Sequence, residues 1–96
     1  MECNLEKRVK EDIIHIARKN GVKKVILFGS RARGDHQERS DIDLAASGGN
    51  LLDFYYELEE DAWTLLNFDV VNLDGEVTEE LLEEIKKDGV VIYEEI

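Results

Sequence analysis

Two aspartates, Asp41 and Asp43, flank a single isoleucine, and a third, Asp69, lies between Phe68 and the pair Val70-Val71. On a strand, residues two apart project from one face, so the first two carboxylates stand close together. Like charges that near are costly unless a cation sits between them. Mg²⁺ favours one or two carboxylates plus substrate phosphates, and two such ions about 3.5–4 Å apart suit in-line displacement at phosphorus. An aspartate inside an otherwise apolar strand is expensive to bury alone, which places Asp69 on a neighbouring strand beside the pair. Asp74 competes for that third place, but Asp74-Gly75 reads better as a turn. By itself, Asp-x-Asp is as easily a turn residue followed by an exposed strand residue; its surroundings decide.

Those surroundings begin at Gly29-Ser30, which breaks the branched run Lys24–Phe28. A glycine after a buried strand lets the backbone pass close to a ligand, and amides opening the next helical turn suit phosphate. Ser30 adds a hydroxyl donor, and Gly34 lets the chain turn away. Lys24, Arg31, Arg33 and Arg39 lie in or just before this stretch of an otherwise acidic chain. No Gly-Lys-Ser/Thr follows the glycine, so a P-loop hydrolase is excluded.

The chain has 96 residues, 43% of them hydrophobic, enough for one modest core and one domain over 1–96. A net charge of −11, from 23 acidic and 12 basic residues, disfavours a nucleic-acid-binding surface. A triphosphate must then approach through a locally positive patch or with metal counterions. Apolar runs such as Val25–Phe28 and Val90–Ile92 fall far short of the roughly 20 residues of a membrane span. The charged start of the chain does not read as a secretory signal, so a cytoplasmic protein is expected. Cys3, the single cysteine, excludes an internal disulfide and is read as incidental.

These residues need elements to position them. Leu5, Val9, Ile13, Ile16 and Ala17 recur at helical spacing after an Asn4 cap, with a stop at Asn20-Gly21. Lys24–Phe28 is a buried strand and Arg31–Ser40 a short helical turn followed by a loop. Asp41–Ala46 is the second strand. Asn50 caps a helix with Leu51, Tyr55, Leu58, Ala62 and Leu65 on one face, and Phe54, Tyr56 and Trp63 are packing residues within or beside that stripe. Phe68–Leu73 is a third strand. Thr78 caps a last helix that turns Leu81, Leu82 and Ile85 inward and stops at Gly89, before a final strand over Val90–Tyr93. The fold class is α/β (α+β), a small mixed sheet with helices packed against it.

The run GSRARG, the ten residues from Arg31 to Ser40 and the Asp-Ile-Asp that follows resemble the signature of the DNA polymerase β nucleotidyltransferase superfamily. More narrowly, the chain resembles the minimal nucleotidyltransferases, the MntA-like antitoxins encoded beside HEPN-domain toxins. The resemblance covers nearly the whole chain. It implies that Gly29, Ser30 and Arg33 bind the triphosphate of ATP, with Arg31 and Arg39 as further phosphate contacts. Asp41 and Asp43 would hold two Mg²⁺ ions, and Asp69 the ion on the acceptor side, where it also serves as general base. The implied reaction moves AMP from ATP to a hydroxyl, in that family a tyrosine of the HEPN toxin. A partner protein or a second subunit would complete a shallow adenosine site. Two other readings stand beside it: an acidic antitoxin that neutralises its partner by binding alone, and transfer to a small molecule.

Overall fold

Four strands hold the molecule together in the order β3-β2-β1-β4. Along the chain the elements are α1 (Lys7–Lys19), β1 (Lys24–Phe28), α2 (Ser30–Arg33), β2 (Ile42–Ser47), α3 (Leu51–Asp61), β3 (Phe68–Asn72), α4 (Glu79–Asp88) and β4 (Val90–Glu94). The computed structural model describes residues 5–95, so Cys3 and the expected Asn4 cap lie outside the described residues. The helix begins instead after Glu6, whose side chain makes no capping bond.

β1 runs antiparallel to β2 and β4, whereas β2 and β3 are parallel, with α3 as the crossover between them. One face of this mixed sheet packs on α1 and α3. Val9, Ile13, Ile16 and Ala17 of α1 and Phe54 and Leu58 of α3 meet Val25, Leu27, Ile42, Leu44 and Phe68 there. Burial of so many branched side chains, each worth about 1.5–3 kcal/mol, is the main source of stability. Ile26, Phe28, Ala45 and Val71 point to the other face, where α4 packs Leu81 and Ile85 against them. Strand alternation therefore puts Asp43 with Ala45, and Asp69 with Val71, on the α4 face.

Local chemistry sets most boundaries. The Asn50 side chain accepts from the amide of Asp53 at 3.1 Å, and Thr78 Oγ1 from that of Leu81 at 3.2 Å, so both helices start where a capping residue stands. Gly89 ends α4 with φ −66°, so left-handed backbone is not its reason. A Cβ there would meet the carbonyl oxygen of Ile85 at 2.2 Å and Cγ2 of Ile26 at 2.8 Å. One expectation fails at the end of α3: Leu65 lies beyond the helix and is fully exposed, at 104% of its reference area. Phe54 fills the core, as a packing residue beside that stripe should. The helix stops at Asp61 because Ala62 is already extended, at ψ 141°, so the heptad-like spacing no longer points Leu65 at the sheet. Trp63 is exposed too, with the Arg8 guanidinium over its ring at 4.1 Å.

Candidate active site

The end of β1 and the starts of β2 and β3 meet on the α4 face. Phe28 is the register partner of Asp43, and Asp43 that of Asp69, so the chain leaves β1 at Gly29 directly beside two carboxylates. Asp41 immediately precedes β2, two residues from Asp43, and shares its face. The parallel pairing of β2 with β3 thus gathers the three aspartates singled out in the sequence.

Their proximity is visible electrostatically. Burial and then the charges of Asp69, Asp41 and Glu84 push the Asp43 carboxyl above the usual aspartate range, while Arg33 pulls it down. Among the described residues no three carboxylate, imidazole or thiol groups close around a metal ion by themselves. The donor set nevertheless suits Mg²⁺, which takes one or two carboxylates and completes its shell with water and substrate phosphate. A cation here would also remove the repulsion now borne by Asp43.

Gly29 answers a specific demand. Its φ of 75° and ψ of −155° are open to glycine, and a Cβ would stand 2.4 Å from Oδ2 of Asp43. Glycine at 29 therefore meets two separate demands, the backbone conformation of the turn and the space taken by the Asp43 carboxylate. Ser30 opens α2, and Gly34, left-handed at φ 88°, closes it with its amide on the carbonyl of Ser30 at 2.9 Å.

The arginines separate into different tasks. Arg31, expected as a phosphate contact, is 7% exposed and belongs to the protein interior. Its Nε donates to the Ser40 carbonyl at 3.1 Å and its Nη2 to the Glu38 carbonyl at 3.2 Å, so it straps the loop leading into β2. Arg33 faces the carboxylate side, bonded to Asp35 at 3.1 Å and to Glu84 at 3.4 Å, with Asp88 at 3.9 Å. These exposed pairs are weak, and a polyphosphate can compete for the guanidinium. Arg39 is exposed beside Asp41. Asp74, the rejected third carboxylate, accepts from the Gly48 amide at 2.7 Å and fastens a turn. Sequence reasoning missed Glu84 and Asp88, whose four-residue spacing reads as a solvated helix face until α4 is laid against α2. It also missed Glu59, whose Oε1 accepts from the Phe68 amide at 3.2 Å and anchors the head of β3 beside Asp69.

Comparison with known proteins agrees with this fold. The polymerase beta nucleotidyltransferase family model matches residues 11–95. A candidate protein adenylyltransferase of Methanocaldococcus jannaschii is 43% identical over 70 residues, 71% of this chain and 68% of that protein. A second from the same organism is 47% identical over 58 residues, 54% of this chain and 62% of that one. Among solved structures, a candidate minimal nucleotidyltransferase superposes with TM-score 0.67 at 28% identity, covering 84% of this chain and 86% of that one. A toxin–antitoxin solved with AMP-PNP reaches TM-score 0.73 at 22% identity over 90% of this chain and 73% of that one, a likeness of fold. With the family model spanning nearly all of it, the chain belongs to the polymerase beta nucleotidyltransferase family.

Proposed function

We propose that the chain transfers AMP from ATP to a hydroxyl group of a partner protein, with pyrophosphate as leaving group. The observation that carries this reading is the pairing of Asp43 with Asp69 beside the Gly29 turn. The names of the M. jannaschii relatives and the AMP-PNP in the toxin–antitoxin structure support it. In this reading Gly29, Ser30 and Arg33 hold the triphosphate, Arg33 leaving its acidic neighbours to do so. Asp41, Asp43 and Asp69 would hold two Mg²⁺ ions. Bound there, the ions would polarise the α-phosphate and neutralise the departing pyrophosphate. Asp69 takes the proton as the acceptor oxygen forms its bond to the α-phosphorus and the bond to the β-phosphate oxygen breaks. The partner would be a toxin protein, and by resemblance its acceptor a tyrosine of a HEPN-domain ribonuclease.

Incubation with labelled ATP, Mg²⁺ and the protein encoded beside this one is the direct test. Label should pass to that protein, and the Asp41→Ala, Asp43→Ala double variant should abolish the transfer. Undiminished transfer by that variant overturns the proposal. The acidic surface also favours neutralisation by binding alone; neutralisation that survives removal of ATP would establish that reading instead.

A further inference from the structure

β3 is an edge strand whose outer side carries unused hydrogen-bonding groups. The Ile42 amide donates to the Asn67 carbonyl at 3.0 Å and the Leu73 amide to the Ala46 carbonyl at 2.9 Å, which fixes the phase of the parallel ladder. Alternation then turns the amides of residues 69, 71 and 73 toward β2 and those of 68, 70 and 72 outward. Glu59 takes the Phe68 amide, and the Asn72 carbonyl accepts from Gly75 at 3.1 Å. The Phe68 carbonyl, both groups of Val70 and the Asn72 amide therefore point away from the sheet, paired with nothing among the described residues.

Phe68, Val70 and Asn72 are also the strand residues that, with Leu51, Leu52 and Tyr55, line a groove of about 440 Å³ along this edge, bordered by Asp69. Leu52 is 64% exposed beside it. α3, which forms one wall through Leu51, Leu52 and Tyr55, carries no lysine or arginine. Its Glu57 is paired with Lys19 at 3.2 Å and its Glu59 with the Phe68 amide, which leaves Asp53, Glu60 and Asp61 on that helix and Asp69 at the groove as the acidic surroundings. An occupant must be extended to meet the ladder, apolar to fill the groove and basic at its flanks to match the wall.

We propose that the outer edge of β3 receives an extended, lysine- or arginine-flanked segment of the acceptor polypeptide as a fifth strand. Strand alternation then places one side chain of that segment on the carboxylate face beside Asp69 and its two neighbours in the Leu51, Leu52 and Tyr55 groove. The acceptor hydroxyl accordingly sits on a residue with an apolar residue on each side. That the segment belongs to the acceptor and presents its hydroxyl there rests on the transfer reading above; the docking of an extended, basic-flanked segment on this edge does not.

The test uses the full chain and a synthetic peptide, Lys-Lys-Val-Tyr-Val-Lys-Lys, without ATP, followed by amide hydrogen exchange. At saturating peptide the Val70 and Asn72 amides should exchange at least tenfold more slowly, while the Asp69 and Val71 amides, already bonded to β2, change little. Leu52→Lys should weaken binding at least tenfold, and Val91→Lys, on the opposite edge strand, should leave it unaltered. Absent protection at Val70 and Asn72, or full binding by Leu52→Lys, overturns the proposal. Protection that grows with protein concentration in the absence of peptide would assign the edge to a second copy and overturn it as well. Loss of AMP transfer in the catalytic assay leaves this measurement unchanged, so the two readings fail separately.

Discussion

Replacing Gly29 by alanine separates the energetic demand of the turn from its chemical one. The backbone there, φ 75° and ψ −155°, is a conformation that costs an ordinary residue about 1–3 kcal/mol. Alanine also stiffens the unfolded chain, which returns about 0.4–1 kcal/mol. The net loss is about 1–2 kcal/mol, or a fall in Tm of roughly 4–15 °C for a domain of this size. The new Cβ would lie 2.4 Å from Oδ2 of Asp43, but also 3.2 Å from its Cγ and 3.3 Å from its Cβ. The carboxylate end can swing aside at little cost in stability. It cannot do so without leaving the place where it faces Asp69, and a displacement of about 1 Å at reacting groups costs on the order of 100-fold in rate. Urea denaturation and the transfer assay, run on Gly29→Ala with and without Asp43→Ala, read the two effects independently. If backbone conformation dominates, the stability loss persists within about 0.5 kcal/mol in the Asp43→Ala background. Loss of the entire penalty in that background, or a Gly29→Ala protein with the wild-type Tm and transfer rate, refutes the reasoning.

Further perturbations follow from the same geometry. The folded protein holds Asp43 above its ordinary value, so its contribution is fully favourable only below about pH 4 and is lost as pH rises through the raised value. Asp43→Asn should therefore melt higher than wild type at pH 7, with the gap closing toward pH 4, while losing transfer; thermal scans across that range check the sign. Arg31→Met strips two carbonyls of a charged donor and should cost about 2–3 kcal/mol and speed proteolysis between residues 34 and 40. ATP should still stabilise that variant thermally, whereas Arg33→Met should lose most of the ATP-dependent shift. Phe54→Ala empties a fully buried site and should cost about 3–5 kcal/mol in urea denaturation. Gly89→Ala should destabilise through contact with Ile85 and Ile26, at a φ that alanine otherwise adopts freely, and a wild-type melting curve would contradict that.

Much of this was legible in the residues alone, because the forces involved are local. β1 occupies Lys24–Phe28 as its branched run implies, and Asn50 and Thr78 cap the helices they precede, since a capping bond spans three residues. Asp41, Asp43, Gly29 and Ser30 stand out by spacing and residue type, and the register that sets Phe28 beside Asp43 brings the Gly29 turn next to the Asp43 carboxylate. Partners distant in sequence were not legible. Arg31 and Arg33 are two apart and chemically identical, yet one is buried against carbonyls and the other pairs with Glu84, 51 residues away. Periodicity reports which face a residue takes, never which element covers it, so Leu65 was drawn onto a helix that had already ended. The register of β2 against β3 brings Asp69 opposite Asp43, and the same pairing leaves the far side of β3 open. Composition and spacing carry the carboxylates and the turn on which the proposed site rests; only packing of the crossover helix and the parallel ladder brings them within reach of one another, because that proximity is made by contacts between segments that no local pattern encodes.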